Sequence, residues 1–130
     1  ISKEIGETAI ELKKYKINVV AIMSNDTFNY PDDSFDKMKI FAKKNNFAFP
    51  YLIDESQEVA RNYGAVCTPD FFGYNSKNEL QYRGRLRSLK DLKPIINSKN
   101  ELLEAMIQIS KTGYGPKEQY PSMGCNIKWK

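Results

Sequence analysis

The sequence is organised around one stretch, Tyr63-Gly64-Ala65-Val66-Cys67-Thr68-Pro69-Asp70-Phe71-Phe72. A helix is predicted to end at Gly64, because glycine readily adopts the left-handed conformation that closes helices. The Thr68–Pro69 bond then opens an apolar strand, since proline has no N–H and suits the first residue of a strand. A proline that must also turn the chain is a candidate for a cis peptide bond.

A hairpin is predicted directly after this stretch. Asp70–Tyr74 and Leu80–Arg85 are strand-like runs separated by the polar turn Asn75-Ser76-Lys77-Asn78, which favours antiparallel pairing. Upstream, Ile17–Met23 is almost continuously apolar, a pattern typical of a central, buried parallel strand. Tyr51–Ile53 is predicted to lie parallel to it.

Residues 86–98 are predicted to be irregular, because Pro94 cannot lie inside a continuous helix.

Four segments show helical signals, and the strands alternate with them. Capping residues and the period of apolar positions delimit these helices. The predicted helices are residues 2–15, a second capped by Asp33 or Ser34, a third that begins at Ser56, and a fourth from a cap at Asn97 or Ser98 to Gly113.

Two motifs carry a family resemblance. The Thr68–Pro69 stretch, together with Tyr82-Arg83-Gly84-Arg85, resembles the Thr-Pro loop of thioredoxin-like redoxins in the alkyl hydroperoxide reductase/thiol-specific antioxidant superfamily. The tail is similar to the C-terminal signature of that branch. It reads Pro121-Ser122-Met123-Gly124-Cys125-Asn126-Ile127-Lys128-Trp129-Lys130.

The resemblance implies an α/β fold, a thioredoxin-like mixed sheet flanked by helices, with a cis Thr68–Pro69 bond. Family members begin with a strand and a Cys-x-x-Cys-type loop, whereas this chain is expected to start inside the helix that follows. The first strand and its reactive cysteine are therefore expected to be missing. We expect residues 1–113 to form the N-terminally truncated domain and residues 114–130 to form a tail that docks on it.

The cysteines Cys67 and Cys125 are the candidate catalytic residues. The chain has no histidine, which excludes a Cys-His dyad, a Ser-His-Asp triad and a Cys/His zinc site. Cys67 is either a thiol that exchanges with a disulfide or a small, partly buried apolar residue. Cys125 is either a resolving thiol or part of a tail anchored by Met123, Ile127 and Trp129. The two are predicted not to be bonded to each other, because the tail would have to reach the Thr-Pro loop.

Thr68 and Pro69 are candidate substrate-binding residues by resemblance, since the backbone before this proline can pair with an extended peptide in thioredoxin-like folds. A turn that merely starts a strand would explain them equally well. Four aspartates are interpreted as caps and turn residues, because their spacing matches no metal-binding loop. They are Asp26, Asp32, Asp33 and Asp54. No metal or cofactor is predicted.

Charge and hydropathy restrict the partners. Twenty basic and 16 acidic residues give a net charge of +4, but the basic residues are scattered and no nucleic-acid motif accompanies them. Arg83, Arg85 and Arg87 alternate, which indicates either an anion site or an exposed strand face. No apolar run approaches the length that spans a bilayer. Nucleic acid and membrane are therefore not predicted partners. Two widely spaced cysteines do not form a disulfide framework, so a cytoplasmic, reduced setting is expected.

The resemblance also implies the activity. The protein would be a thiol-dependent redox protein that reduces peroxide or disulfide substrates, with electrons from a thiol donor such as a thioredoxin-type protein. We expect little or no activity from this chain alone, and a homodimer is a candidate assembly. The alternative is a non-catalytic interaction module that keeps the thioredoxin scaffold without the redox loop.

Overall fold

The computed structural model of the chain describes residues 1–90, 93–95 and 97–130. No helix within these ranges is both long and apolar enough to cross a membrane. The helices are α1 (Ser2–Lys13), α2 (Phe35–Lys44), α3 (Glu58–Tyr63) and α4 (Glu101–Thr112), with a 3-10 turn at Pro31–Asp33. The strands are β1 (Ala21–Met23), β2 (Tyr51–Ile53), β3 (Cys67–Thr68), β4 (Phe71–Tyr74), β5 (Leu80–Gly84), β6 (Leu89–Lys90), β7 (Lys93–Pro94) and β8 (Cys125–Asn126).

The two strand pairings predicted from the sequence are confirmed. β1 runs parallel to β2, with Ala21 opposite Tyr51. β4 runs antiparallel to β5, with Phe71 opposite Gly84 and a register shift between Gly73 and Tyr74. The hairpin therefore begins two residues after Pro69, and its position fixes the position of that loop.

The prediction of one continuous mixed sheet is wrong for the described residues. Their strands form separate two-stranded ladders, β1–β2, β3–β8, β4–β5 and β6–β7. No Cα atom of β1 lies within 8 Å of a Cα atom of β4. The central, buried strand predicted for Ile17–Met23 is shortened to β1, and Val20 and Ile22 are 55% and 41% exposed. Within the described ranges, β1 pairs on one edge only, with β2, and no element covers the face of Ile22.

The core lies between α4, α1 and the β4–β5 hairpin. Leu102, Ala105, Met106 and Ile109 are buried on one face of α4, since residues three and four apart share a helix face. They pack with Leu12, Tyr82 and Leu86. Full burial of a leucine, isoleucine or methionine side chain contributes about 1.5–3 kcal/mol, so this cluster fixes the hairpin against both helices.

Two helix ends follow the sequence signals. The Ser34 hydroxyl accepts a hydrogen bond from the Lys37 N–H (3.3 Å) and caps α2. Gly64 closes α3 in the left-handed region, at φ 72°. Serine is a preferred residue at the N-cap of a helix, and glycine is preferred where a helix ends in the left-handed conformation.

Two helix starts differ from the predicted positions. α3 begins at Glu58 rather than Ser56, because Gln57 takes the left-handed conformation (φ 64°) immediately before it. α4 is capped by Asn100 rather than Asn97 or Ser98, because the Asn100 side chain accepts the Leu103 N–H at 2.9 Å. Several polar residues precede α4, and only the geometry selects among them.

The segment predicted to be irregular contains a short ladder. Leu89 lies opposite Pro94 in the β6–β7 pair, so the prediction is wrong for that part. Pro94 is tolerated there because a two-stranded ladder offers edge positions that need no N–H donor. The same prediction also covered residues 91, 92 and 96, which lie outside the described residues.

Candidate functional site

The C-terminal tail lies against the Thr-Pro loop. β8 pairs antiparallel with β3, so that Cys67 is opposite Asn126 and Thr68 is opposite Cys125. The Ile127 N–H extends this pairing by donating to the Val66 carbonyl at 3.1 Å. We call residues 66–68 and 125–127 the thiol ribbon. It brings Cys67, Thr68 and Cys125 together beside Pro69, and the Thr68–Pro69 peptide bond is cis.

The two cysteines lie on opposite faces of the ribbon. Successive residues of a strand point to opposite sides, so Cys67 shares a face with Asn126, and Thr68 shares the other with Cys125. Both thiols are free. The reason given from the sequence, that the tail would not reach the loop, is wrong, because the tail does reach it and the pleat separates the thiols.

Cys67 is a partly buried thiol with backbone partners. Its S–H faces the carbonyl oxygens of Ser122 and Pro69, at 3.7 and 4.0 Å. Burial is the main cause that raises the pKa of the Cys67 thiol, and the negative charge of Asp70 raises it further. The positive charge of Arg83 lowers it by a smaller amount. A protonated thiol is a weak nucleophile, which favours the interpretation of Cys67 as a packing residue.

Asp70 connects the loop to the hairpin and to the tail. Arg83 donates through Nη2 to Asp70 Oδ2 (3.2 Å) and to the Gly64 carbonyl (2.7 Å). The Ser122 hydroxyl oxygen lies 3.0 Å from Asp70 Oδ1 and 2.5 Å from the Gly84 carbonyl oxygen. The carboxylate of Asp70 is only 5% exposed, so these contacts compensate its burial and hold Ser122 above Cys67.

The alternating arginines do not form a shared anion site. Arg83 pairs with Asp70, and Arg85 pairs with Glu101 at 3.0 Å. Arg87 pairs with Glu4. The strand that would align them on one face ends at Gly84. Each positive charge is therefore neutralised by its own carboxylate.

Cys125 is exposed on the surface of the ribbon. Of the three side chains expected to anchor the tail, Ile127 is buried (6% exposed), whereas Met123 and Trp129 are 50% and 39% exposed. Val66, which pairs with Ile127, is 61% exposed. Ile127 therefore anchors the tail, while Met123 and Trp129 remain largely exposed.

The residue that fixes the end of the tail is Gln57, which is only 1% exposed. Its amide nitrogen donates to the carbonyls of Ser24 (2.8 Å) and Lys128 (2.9 Å), and its amide oxygen accepts the Lys130 N–H (3.1 Å). The Lys128 N–H also donates a hydrogen bond to the side-chain oxygen of Asn25, at 2.9 Å. Sequence reasoning missed Gln57, since a glutamine before a short helix carries no signal for a contact with the distant tail.

Asp26 and Asp54 stabilise the adjoining turns. The Asn29 side-chain amide donates to Asp26 and lowers the pKa of that carboxyl, although burial acts against it. Burial would raise the pKa of Asp54, but bonds from the Ala60 N–H and the Ser24 hydroxyl outweigh it, so the pKa lies below its usual value. Within the described ranges no three potential ligands among His, Cys, Asp and Glu lie close enough to hold a metal.

A separate cavity of about 410 Å³ opens on the exposed face of the β1–β2 pair. Ile22, Leu52 and Val59 supply its apolar wall, and Glu55 and Ser56 lie at its polar side. Neither cysteine lines it. The cavity lies on the exposed face of β1 and is separate from the thiol ribbon.

The alternation of helices and strands, with a cis Thr-Pro bond before the hairpin, defines the class of thioredoxin-like redoxins. The model of the AhpC/TSA family matches residues 2–88. The chain belongs to the AhpC/TSA family, as the resemblance predicted.

Two solved structures resemble nearly the whole chain, including the tail beyond the residues that the family model matches. One is a hypothetical protein from Sinorhizobium meliloti 1021, with 34% identity and a TM-score of 0.87, covering 100% of this chain and 71% of that chain. The other is an uncharacterized conserved protein from Geobacillus kaustophilus, with 38% identity and a TM-score of 0.82, covering 96% and 68%. No curated protein sequence matches significantly.

Proposed function

We propose that this chain acts in thiol-dependent reduction of disulfide or peroxide substrates, with Cys125 as the reacting thiol. Membership of the AhpC/TSA family supports redox chemistry at the level of the family. The observation that carries the proposal is the place of Cys125, which is exposed and lies opposite Thr68, beside the Thr68–Pro69 bond. A nucleophilic thiol must be accessible, and among the two cysteines Cys125 meets that condition better.

The proposed exchange transfers two electrons. The Cys125 thiolate attacks one sulfur of a substrate disulfide, the S–S bond breaks, and the departing thiolate takes a proton. One thiol of a donor dithiol then attacks the Cys125 sulfur of the mixed disulfide and releases the second substrate sulfur as a thiol. The second donor thiol displaces Cys125 as a thiol, which leaves the donor as a disulfide. With a peroxide, the O–O bond breaks instead, the leaving oxygen takes a proton and departs as water or an alcohol, and Cys125 becomes a sulfenic acid. One donor thiol condenses with it with loss of water, and the second donor thiol displaces Cys125 and leaves the donor as a disulfide.

Thr68 and Pro69 have a binding role in this proposal. The backbone of Cys67–Thr68 would pair with an extended segment of a protein substrate, in the way the family resemblance implies. The chain's own Cys125–Asn126 segment occupies this edge, so a substrate must displace the tail or approach Cys125 from its exposed face. Turnover by the 130 residues alone is therefore expected to be slow. Two free thiols fit a reducing compartment such as the cytoplasm.

One observation favours the second candidate, a non-catalytic interaction module. The tail already pairs with the Cys67–Thr68 edge, and the Cys67 S–H faces backbone carbonyls rather than a base. Under this alternative the ribbon is structural, and Cys125 is an incidental surface thiol. The two candidates differ in one measurable property, the reversible reaction of Cys125.

Mass spectrometry of the thiols tests the proposal. The reduced protein is treated with oxidised glutathione or with hydrogen peroxide, then with a reduced thioredoxin-type protein. We expect one adduct, mapped to Cys125, that thioredoxin removes, and no adduct in Cys125→Ser. The Cys67→Ser variant should keep it, because a serine hydroxyl can still donate to the Ser122 carbonyl. An adduct on Cys67 alone, or one that thioredoxin leaves in place, would support the module instead.

A further inference from the structure

We infer that the end of the tail is a removable strap, which occupies a binding edge for an extended segment of a protein substrate. The strap comprises residues 123–130, and the edge comprises residues 66–68. The parts of the strap that fit the edge define what such a segment must carry, a glycine beside Thr68 and an apolar side chain three residues later. This inference rests on the proposed function, which places an extended substrate at the same edge.

The strap is bound to the edge through backbone hydrogen bonds. β8 pairs antiparallel with β3, and the Ile127 N–H donates to the Val66 carbonyl at 3.1 Å. Bonds between main chains form with any sequence, so another extended segment can replace the strap in the same ladder. Selection among such segments therefore depends on the side-chain positions beside the edge.

The position next to the loop fits glycine only. A Cβ atom on Gly124 would overlap the Thr68 carbonyl oxygen and would lie 3.4 Å from the Pro69 nitrogen. Gly124 does not have a positive φ, so the close approach of two backbones, and not a left-handed conformation, requires glycine here. Any larger residue at this position would hold a segment away from the edge.

The position three residues later takes an apolar side chain. Within residues 123–130, all of which the structure describes, only Ile127 is buried, at 6% exposed. The two intervening side chains, those of Cys125 and Asn126, are exposed. Burial of an apolar side chain of this size is a large favourable contribution to binding. The edge therefore selects the pattern glycine-x-x-isoleucine, in which the two middle positions are unrestricted.

The last residues of the strap hold it closed. The Gln57 side chain bonds to the Lys128 carbonyl at 2.9 Å and to the Lys130 N–H at 3.1 Å. The Asp26 N–H donates to the same Lys128 carbonyl at 2.8 Å, and the Lys130 ammonium donates to the Glu55 carbonyl at 2.7 Å. Apart from the last, these bonds reach backbone atoms of the strap, so a competing segment can form them as well.

The tail before the strap is fixed separately. The Arg85 N–H donates to the Tyr120 carbonyl at 3.0 Å, and the Arg85 guanidinium lies 4.5 Å from the centre of the Tyr120 ring. The Ser122 hydroxyl bonds to the Asp70 carboxylate at 3.0 Å. The strap can therefore leave the edge while the tail up to Ser122 stays in place, and Cys125 remains tethered close to the edge.

Because the strap is tethered, it competes with free segments at a high effective concentration, which reaches the millimolar range for short, flexible links. The apparent affinity for a free segment is proportional to the fraction of molecules in which the edge is open. Weakening the strap without altering the edge should therefore raise that affinity. This property distinguishes a removable strap from a permanent part of the fold.

The experiment measures binding of a fluorescein-labelled peptide to the full chain by fluorescence anisotropy. The peptide has the sequence of residues 121–130 with Cys125→Ser. Two chain variants, Gly124→Ala and Ile127→Ser, each weaken the strap through a different residue and leave the edge unchanged, so either suffices if the other does not fold. The matched control is Gly113→Ala at the end of α4, where a Cβ atom meets nothing within 4 Å.

We expect both loosened chains to bind the peptide about tenfold more tightly than the control chain does. Bound peptide should also slow the alkylation of Cys67 in the loosened chains, because it replaces the strap beside that thiol. Peptides that themselves carry Gly124→Ala or Ile127→Ser should bind about tenfold more weakly, whereas Asn126→Ala in the peptide should have no effect. Binding that ignores these changes in the peptide would overturn the proposed pattern.

Equal affinity of the peptide for the loosened and control chains would show that the strap does not control the edge and would overturn the inference. The peptide contains no cysteine, so its binding does not depend on thiol chemistry. Peptide binding as expected, with no adduct on Cys125 in the glutathione experiment, would overturn the proposed redox function and leave the binding edge. The expected adduct together with equal peptide affinities would do the reverse.

Discussion

Thr68 and Cys125 face each other across the β3–β8 ladder, while Cys67 faces Asn126 one position away. This one-residue offset decides what the two thiols can do. A disulfide needs Cβ atoms about 3.5–4.5 Å apart, and neighbouring positions of an antiparallel pair point their Cβ atoms to opposite faces. The ribbon therefore holds two cysteines close together without allowing them to bond in this register.

The first prediction concerns their reactivity. In the native protein, a brief pulse of iodoacetamide should modify Cys125 and leave Cys67 mostly intact, because Cys67 is partly buried and faces backbone carbonyls. After denaturation without reductant, both should react. Peptide mapping measures the two sites separately. A mass lower by two hydrogens before alkylation would show a disulfide and contradict the geometry.

The second prediction is a pH dependence that arises from Cys67. Its pKa is raised in the folded state by burial and by Asp70, so folding favours the protonated thiol. The stabilisation is complete below the ordinary pKa of a cysteine, about 8.5, and is lost as pH rises through the higher folded value. Urea unfolding at several alkaline pH values should show this loss. Cys67→Ser should reduce the slope, and an unchanged slope would refute the assignment.

The third prediction tests the close approach of the tail to the loop. A Cβ atom on Gly124 would overlap the Thr68 carbonyl oxygen, so Gly124→Ala should push β8 off β3. We expect a destabilisation of about 1–3 kcal/mol and faster alkylation of Cys67. Gly113→Ala is the control, because a Cβ there meets no atom within 4 Å and only the positive φ is strained. If both variants change Cys67 reactivity equally, the ribbon does not protect it.

The fourth prediction concerns Gln57, whose amide holds Ser24 and Lys128 together. Gln57→Leu leaves buried carbonyls without a donor, which should cost roughly 1–3 kcal/mol. The specific readout is hydrogen exchange of the Ile127 amide, which should accelerate more than that of the α4 amides. Gln108→Leu, an exposed glutamine bonded to the Tyr114 carbonyl, is the matched control. Uniform acceleration across the chain would mean general destabilisation rather than release of the tail.

Local chemistry made much of the fold predictable. The β4–β5 hairpin follows from two strand-like runs around a polar turn, and the end of α3 follows from Gly64. The family could be recognised because the Thr68–Pro69 stretch and the tail are contiguous motifs. These features depend on residues close together in sequence.

The rest depends on contacts that no local pattern encodes. Nothing in the sequence of the tail shows that Cys125 lies opposite Thr68, since the pairing is made by backbone groups. The buried amide of Gln57 has partners far along the chain, and its role is visible only in three dimensions. The burial predicted for Ile17–Met23 is wrong for one face, that of Val20 and Ile22, whereas Met23 is buried and Ile17 and Val19 pack against the core. Burial depends on neighbouring elements and not only on the composition of the strand itself.

The last prediction concerns the free edge of β1. Among the described residues, β1 pairs only with β2 and β4 only with β5. Unpaired strand edges invite pairing with another chain, and Ile22 adds an apolar side chain that is 41% exposed. We therefore expect a chain of these 130 residues to associate with itself as its concentration rises. Sedimentation velocity over a range of concentrations measures this.

The variant Ile22→Lys should shift that equilibrium toward the monomer, because a lysine on an edge strand opposes pairing with a second chain. Ile40→Lys is the matched control, since Ile40 is 62% exposed but lies on α2, where no backbone edge is available. If association fell equally in both variants, general surface hydrophobicity would be its cause. A monomer at every concentration would show that the β1 edge is protected in solution, and the self-association argument would then be wrong.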